Sequence, residues 1–274
     1  MDIKFGNGRS ALQAKDSLWR ETSPRLIKCG FTLAEVLITL GVIGVVAAMT
    51  LPTVINEHRV SQWETALKRD YTVLSQGFRK IMADYGCDTL ECTGIFSGTL
   101  DEEGNEVPDQ EKLDKAMRSA FQIVKSYKRG EYENIEVKYL KGSQKANYGN
   151  AYYYFTLNDG ATVLMDSTAS GKCTWLNGIA CAYLIIDVNG TVPPNTFGKD
   201  VFALGHLINN GVLVPDTSGK WEEYSSNSSQ YWRNAPRQCG TPNTKLKDET
   251  ISQCSGQNCL ARIMENNWKM DYLH

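Results

Sequence analysis

Residues 30–55 read GFTLAEVLITLGVIGVVAAMTLPTVI, an apolar run with a single carboxylate, Glu35, near its start. From Phe31 to Ile55 the run has 25 residues. As a helix it extends about 37 Å, longer than the roughly 30 Å hydrocarbon core of a bilayer. An ordinary anchor would avoid Glu35, because a charged side chain within lipid costs at least about 2 kcal/mol and marks a function. The preceding residues, 1–30, carry Lys4, Arg9, Lys15, Arg20, Arg25 and Lys28 against Asp2, Asp16 and Glu21, a net charge of +3. Positive charge before a first span keeps the N-terminus in the cytoplasm and sends the chain after Ile55 across the membrane.

At this junction the chain resembles the type IV pilin and pseudopilin superfamily, whose precursors carry a basic leader, then Gly, then Phe-Thr-Leu-x-Glu opening a hydrophobic helix. The matching residues are Gly30, Phe31, Thr32, Leu33 and Glu35. The resemblance implies a prepilin peptidase that cuts between Gly30 and Phe31 and N-methylates Phe31. It also implies that the hydrophobic stretch stays on the mature protein, and that other pilin or pseudopilin subunits and inner-membrane assembly machinery are partners. Two plainer readings compete. A secretory signal would end at Val46-Ala47-Ala48, but the apolar run exceeds the usual 7–15 residues. A simple single-pass anchor fits the length and leaves Glu35 and the junction unexplained.

Cleavage before Phe31 would create an α-amino group that is largely protonated near neutral pH. Four residues separate it from Glu35, so the two share a helical face and compensate each other within or between subunits. In the family this pairing is thought to register each incoming subunit. Gly41, Gly44 and Pro52 are expected to bend or partly melt the helix, since Pro costs about 3 kcal/mol in a helix interior and Gly about 1. Pro52 also sits where the family commonly has a kinking proline. Membrane helices tolerate both residue types, and the Gly-x-x-Gly spacing also suits close helix packing.

Beyond the run, Val60, Trp63, Leu67, Tyr71, Leu74, Phe78, Ile81 and Tyr85 recur at steps of three and four. This stripe predicts an amphipathic continuation of the helix over residues 56–86, capped at Gly86. Glu57, Arg59, Glu64, Lys68, Arg69, Asp70, Arg79 and Lys80 would form its solvated face.

Residues 87–274 form a head large enough for its own core. Asp109 is expected to cap a second helix with apolar positions Leu113, Ala116, Met117, Ala120, Phe121, Val124 and Tyr127. Strands are expected over 135–140, 151–157, 161–165, 179–187 and 201–207, with Asn158-Asp159-Gly160 as a hairpin turn. Residues 260–268 suit a short closing helix with Leu260, Ile263, Met264 and Trp268 on one side. Helices followed by hairpin-linked strands give an α+β head, an antiparallel sheet laid on the long N-terminal helix. The Ser/Asn/Gly/Thr-rich stretch over 216–257, with Trp221, Tyr224, Tyr231 and Trp232, reads as a loop pinned by aromatics or as an exposed recognition loop.

After loss of the leader the chain has 23 basic and 28 acidic residues, net −5, and no basic stripe to attract nucleic acid. Cys29 leaves with the leader, and Cys87, Cys92, Cys173, Cys181, Cys239, Cys254 and Cys259 remain where disulfides persist. Nearest-neighbour spacing suggests 87–92, 173–181 and 254–259 with Cys239 free, although spacing does not dictate connectivity. The resemblance implies a C-terminal loop closed by Cys239 with Cys254 or Cys259. The two Cys-x4-Cys pairs also have zinc-ligand character, against which stand the oxidising compartment and the lack of a nearby histidine.

Calcium is the one cofactor the residues suggest. Asp187, Asn189 and Asp200 place hard oxygen donors in a Gly/Pro-rich segment directly after a strand, and some pseudopilins bind calcium in a late-sheet loop. The start looks like an EF-hand loop, yet Gly198 stands at the twelfth position. The same residues also describe a plain turn at Asn189-Gly190, a rigid Pro193-Pro194 piece and an Asp200 cap. His58, His206 and His274 are too scattered for a triad or metal cluster, so no enzymatic activity is expected.

These residues predict a pilin-like or pseudopilin subunit. It would sit in the inner (cytoplasmic) membrane among lipid with an extracytoplasmic head, then polymerise through its N-terminal helix into a pilus or secretion-type filament. The alternatives are a minor or tip pilin acting as an adhesin or binding module, and a non-polymerising anchored protein.

Overall fold

The computed structural model describes residues 31–100, 102–128, 130–132, 136–141, 145–147, 151–215, 256–257 and 259–273. The leader and residues 216–255, with Gly30, Cys239 and Cys254, lie outside the described residues. The chain divides into two compact units, the first ending at Leu51 and the second beginning at Pro52.

A single helix, α1 (Leu33–Asp84), belongs to both units and is helical through Gly41, Gly44 and Pro52, so none of the three melts it. Proline removes one hydrogen bond, and the turns on either side keep theirs. Within the first unit every residue from Phe31 to Leu51 is exposed. Among the described residues α1 is the one helix long and apolar enough to cross a membrane.

In the second unit the apolar stripe of α1 becomes core: Val60, Leu67, Leu74, Phe78 and Ile81 are buried, and Trp63 and Tyr71 are partly buried. Tyr85, expected in the stripe, is 42 % exposed. The helix is capped at Gly86 as expected, in a Schellman arrangement, with the Cys87 N–H on the Met82 carbonyl and the Gly86 N–H on the Ala83 carbonyl. Gly86 supplies the left-handed residue, φ +65°. Met82 takes the inward place near the end of the stripe.

Six antiparallel strands form the sheet: β3 (Ile123–Lys128), β6 (Tyr153–Leu157), β7 (Thr162–Ser167), β8 (Ala180–Asp187), β9 (Val201–Ile208) and β10 (Leu213–Val214). Their spatial order is β10-β9-β8-β7-β6-β3. Two small hairpins accompany it, β1 (Gly98–Leu100) with β2 (Glu106–Pro108), and β4 (Glu136–Lys138) with β5 (Lys145–Asn147). A short helix, α2 (Leu90–Thr93), lies at the Cys-bounded loop, α3 (Gln110–Ala120) is capped by Asp109 as expected, and α4 (Leu260–Glu265) is followed by a 3-10 turn over Asp271–Leu273. The Asn158-Asp159-Gly160 turn joins β6 to β7, with Gly160 at φ +95°.

The strands alternate. Tyr153, Phe155, Val163, Met165, Leu184, Ile186, Phe202 and Leu204 join the cluster containing the α1 stripe. Tyr154, Leu164, Ile185, Val201 and Ala203 form a second core with Val137 of β4 and Phe197. Period two thus serves two buried layers.

One expected helix is shorter than its spacing suggests. The helical spacing of Phe121, Val124 and Tyr127 does not extend α3, which ends at Ala120, and residues 123–128 form a strand on β6. Phe121 leaves the helix to pack edge-on to Phe78 (5.5 Å) and stacked on Phe155 (6.0 Å). A register shift between Ile123 and Lys125 accompanies the outward turn of Val124, 69 % exposed. Gly77 makes the Phe121 packing feasible, since a Cβ there would lie 1.9 Å from the Phe121 ring.

A second correction concerns charge. Glu64 and Asp70, expected on the solvated face, are buried. Both stand at stripe spacing, Glu64 between Val60 and Leu67 and Asp70 between Leu67 and Leu74. Glu64 accepts the Met270 N–H (2.7 Å) and the Lys269 Nζ (2.7 Å). Asp70 accepts from Arg69 Nε (2.9 Å), and the other arm of that guanidinium reaches Asp159 of the hairpin turn (2.5 Å).

The Asp70 Oδ2 is buried without a hydrogen bond. Burial pushes the Asp70 carboxyl up to about 7, with Asp159 adding repulsion and Arg69 opposing it. A carboxyl raised in the folded state contributes stability that is full below its unfolded value near 3.8 and lost as pH rises through about 7. Asp70→Asn is therefore expected to flatten the decline in melting temperature between pH 4 and pH 7, measured against the unmodified chain by circular dichroism. Identical slopes would refute this.

Candidate functional site

At the start of α1, Thr32 and Glu35 cap each other. The Glu35 N–H donates to Thr32 Oγ1 (3.2 Å), while the Thr32 N–H and hydroxyl donate to Glu35 Oε2 (2.8 and 2.9 Å). This is a capping box, Thr-x-x-Glu, which satisfies helix-end donors reciprocally. The spacing of Thr32 and Glu35 is the sequence signal for this box, and it gives Glu35 a local role beside its charge. Phe31 is 87 % exposed, next to this box.

The suggested calcium ligands come together, by a route unlike an EF-hand. Asp187 ends β8 and Asp200 immediately precedes β9, and antiparallel pairing of Asp187 with Val201 brings them side by side. Both are buried, at 4 % and 0 % exposure. The Asn195 and Thr196 N–H groups donate to the two Asp200 oxygens (2.9 and 2.7 Å), and the Asn189 N–H donates to Asp187 Oδ1 (3.3 Å).

Among the described residues no cationic side chain forms an ion pair with either carboxylate. Burial pushes the Asp187 carboxyl up to about 8, and the Asp200 charge adds to the rise. Burial also raises Asp200, against the Thr196 and Asn195 N–H bonds that hold its charged form.

The side-chain amides of the same loop are held within it. The Asn189 amide nitrogen donates to the Val192 carbonyl (2.9 Å) and that of Asn195 to the Thr191 carbonyl (3.5 Å), which fixes both amide orientations. The Oδ1 atoms of Asn189 and Asn195 are then buried without a hydrogen-bond partner. Carboxylates and amides are both oxygen donors of the kind calcium uses, and the Asn189 side chain also hydrogen-bonds Asp200. Asn195 was not among the ligands expected from sequence; its place here depends on the fold of the 190–200 loop.

Disulfides join Cys87 to Cys92 and Cys173 to Cys181, which excludes zinc at the first Cys-x4-Cys pair. Cys259 is also disulfide-bonded, and both cysteines considered for it, Cys239 and Cys254, lie outside the described residues. No group of three or more His, Cys, Asp or Glu residues arranged for a metal occurs among the described residues; the loop above reaches its donor set only by counting its amides.

The architecture defines a class: an exposed apolar helix with membrane-crossing length, continuing into an α+β head built on its second half. The chain belongs to a family of unknown function (DUF6613), whose model matches residues 53–272. Comparison with curated proteins and with solved structures gave no match.

Proposed function

We propose that this protein is a type IV pilin-like or pseudopilin subunit, processed at Gly30-Phe31 and assembled through α1 into a filament. The observation that carries the reading is the first half of α1, apolar and exposed throughout, opening on Phe31 and on a carboxylate that lipid alone would not select. The same helix supplies the core of the head, so a subunit drawn out of the membrane by its helix would carry its head with it.

In this reading α1 is parked in the inner membrane until assembly, and the head lies on the extracytoplasmic side, where its disulfides persist. The partners are a prepilin peptidase, further pilin-like subunits and the membrane machinery that assembles them.

Mass spectrometry of the mature N-terminus tests processing. N-methylated Phe31 is the expected result, and a chain beginning at Met1 or Met49 would overturn the reading. Recovery in purified, sheared filaments tests assembly.

The 187–200 loop is read as a calcium site held by Asp187, Asn189, Asn195 and Asp200, with remaining positions taken by water or main-chain carbonyls. Bound calcium would take the place of the proton that burial favours on the Asp187 carboxyl, next to Asp200. Titration calorimetry with calcium chloride, on chain first stripped with chelator, is expected to show binding.

A further inference from the structure

A groove of about 550 Å³ runs between α1 and the C-terminal segment. One wall is a face of α1, where Thr65, Lys68, Arg69, Thr72 and Val73 fall at steps of three and four. The other wall is Asn267, Trp268 and Lys269. Trp268 packs on Tyr71, with ring centroids 5.5 Å apart. Asn267 and Trp268 stand at positive φ, +53° and +65°, a conformation that non-glycine residues keep only when their surroundings hold it. Here the Trp268 N–H donates to the Ile263 carbonyl (2.7 Å), and Glu64 of α1 takes the Met270 N–H and the Lys269 Nζ (2.7 Å each). Tyr272 then donates its hydroxyl to the Gly198 carbonyl of the 187–200 loop (2.8 Å). The wall is thus tied to the helix on one side and to the sheet on the other.

The groove is apolar inside and cationic at its rim. Val73 is 39 % exposed and Trp268 half-buried. The carboxylates beside it, Glu64 and Asp70, are buried, whereas Arg69 and Lys269, which pair with them, keep 49 % and 64 % of their side-chain surface exposed. Arg69 also reaches Asp159 (2.5 Å). Lys68 is exposed and forms no ion pair among the described residues. The opposite chemistry stands on the β1–β2 hairpin. Between Leu100 and Pro108 the sequence holds Asp101, Glu102, Glu103 and Glu106 and no basic residue. Glu102, Glu103 and Glu106 are exposed, and Leu100 beside them is 71 % exposed. Leu100 pairs with Glu106, and the base of the hairpin is fixed by the Asp109 N–H on the Ser97 carbonyl (2.9 Å). None of the residues lining the groove comes from this hairpin.

We propose that this groove takes the β1–β2 hairpin tip of a second copy of the chain, with Leu100 set against Val73 and Trp268 and Glu102 against Lys68. Two features of the tip match two of the groove: an exposed aliphatic side chain meets an apolar wall, and a run of carboxylates meets a cationic rim. Complementary charge steers such an encounter and fixes its register, and the apolar contact supplies area removed from water. Because the two surfaces are different parts of one head, the contact is heterologous. Each copy that accepts a hairpin still has its own hairpin to offer, so the association propagates head to tail. The contact is formed by the second unit of the chain and does not depend on processing at Gly30.

The experiment uses the full chain in nonionic detergent micelles, which cover the apolar half of α1, and follows self-association by sedimentation. The unmodified chain is expected to associate with concentration and to dissociate as salt is raised. Lys68→Glu and Glu102→Lys, both at exposed positions, are each expected to weaken association by roughly 10-fold at low salt. The double variant restores an opposite pair and is expected to regain most of that loss. An unmodified chain that stays monomeric, single variants that associate as the unmodified chain does, or a double variant no tighter than either single one would each overturn the proposal. So would a monomeric chain that binds polygalacturonate and loses it in Lys68→Glu, which would give the groove to an acidic glycan. N-methylation of Phe31 and recovery in filaments are measured separately, so failure of this contact and failure of the filament reading are distinguishable.

Discussion

Glu35→Val is expected to leave the chain in the membrane fraction at normal level and to remove it from filaments. The substitution deletes one half of the capping box, worth about 1 kcal/mol at a helix start. That loss is small beside the transfer of a 25-residue apolar segment into lipid, and Val favours insertion where Glu opposes it. Assembly is another matter. If the Phe31 ammonium and Glu35 register one subunit against the next, Val leaves the ammonium without its partner in a low-dielectric interior, which is far more costly than the lost cap.

Glu35→Gln separates the two roles. Gln at this position still completes a capping box but carries no charge. Loss of filaments from both variants, measured as pelleted subunit against total subunit, is the outcome the pairing model expects. Normal filament yield from Glu35→Val would end it. Filaments from Gln but not from Val would assign Glu35 to capping alone.

Asp200→Ala is expected to destabilise the head in chelator and Asp187→Asn is not, although both abolish any calcium-induced rise in melting temperature. Asp200 accepts the N–H groups of Asn195 and Thr196. Alanine leaves both buried, at a cost of roughly 2 to 5 kcal/mol. In a domain of this size that lowers the melting temperature by about 10 °C. Asp187 accepts only the long bond from the Asn189 N–H, which the Oδ1 of asparagine can still accept. Asp187→Asn also removes a carboxylate whose ionisation burial opposes. In chelator its melt is thus expected to match or exceed that of the unmodified chain. A full calcium shift retained by Asp187→Asn would remove Asp187 from the ligand set.

What was legible in the sequence came from short-range signals. The 3.6 period of Val60 to Ile81, the Asn158-Asp159-Gly160 turn, the Asp109 cap and the strands after residue 150 each depend on residues a few positions apart, and all are present. The pairing of Asp187 with Asp200 was also within reach, because both flank one β-hairpin connection. The same local logic failed at residues 121–128. There, spacing by three fits a helix, but Phe121 is drawn between Phe78 and Phe155, and the chain after it pairs with β6. A period cannot show that competition, since the residues that win it are distant in the chain: Tyr153 pairs with Lys128 and Phe78 meets Phe121.

The sequence by itself determined the membrane-length helix and the α+β class, because each follows from composition or spacing within one segment, and nearest-neighbour spacing suggested the two disulfides that the structure forms. Tertiary structure alone decided that Glu64 and Asp70 are buried, that Asn195 joins Asp187, Asn189 and Asp200, and that the C-terminal segment bridges this loop to α1. A carboxylate on an apolar stripe looks solvated until a partner over two hundred residues away fills its hydrogen bonds. Met270 is that partner for Glu64, and folding alone brings the two within 2.7 Å of each other.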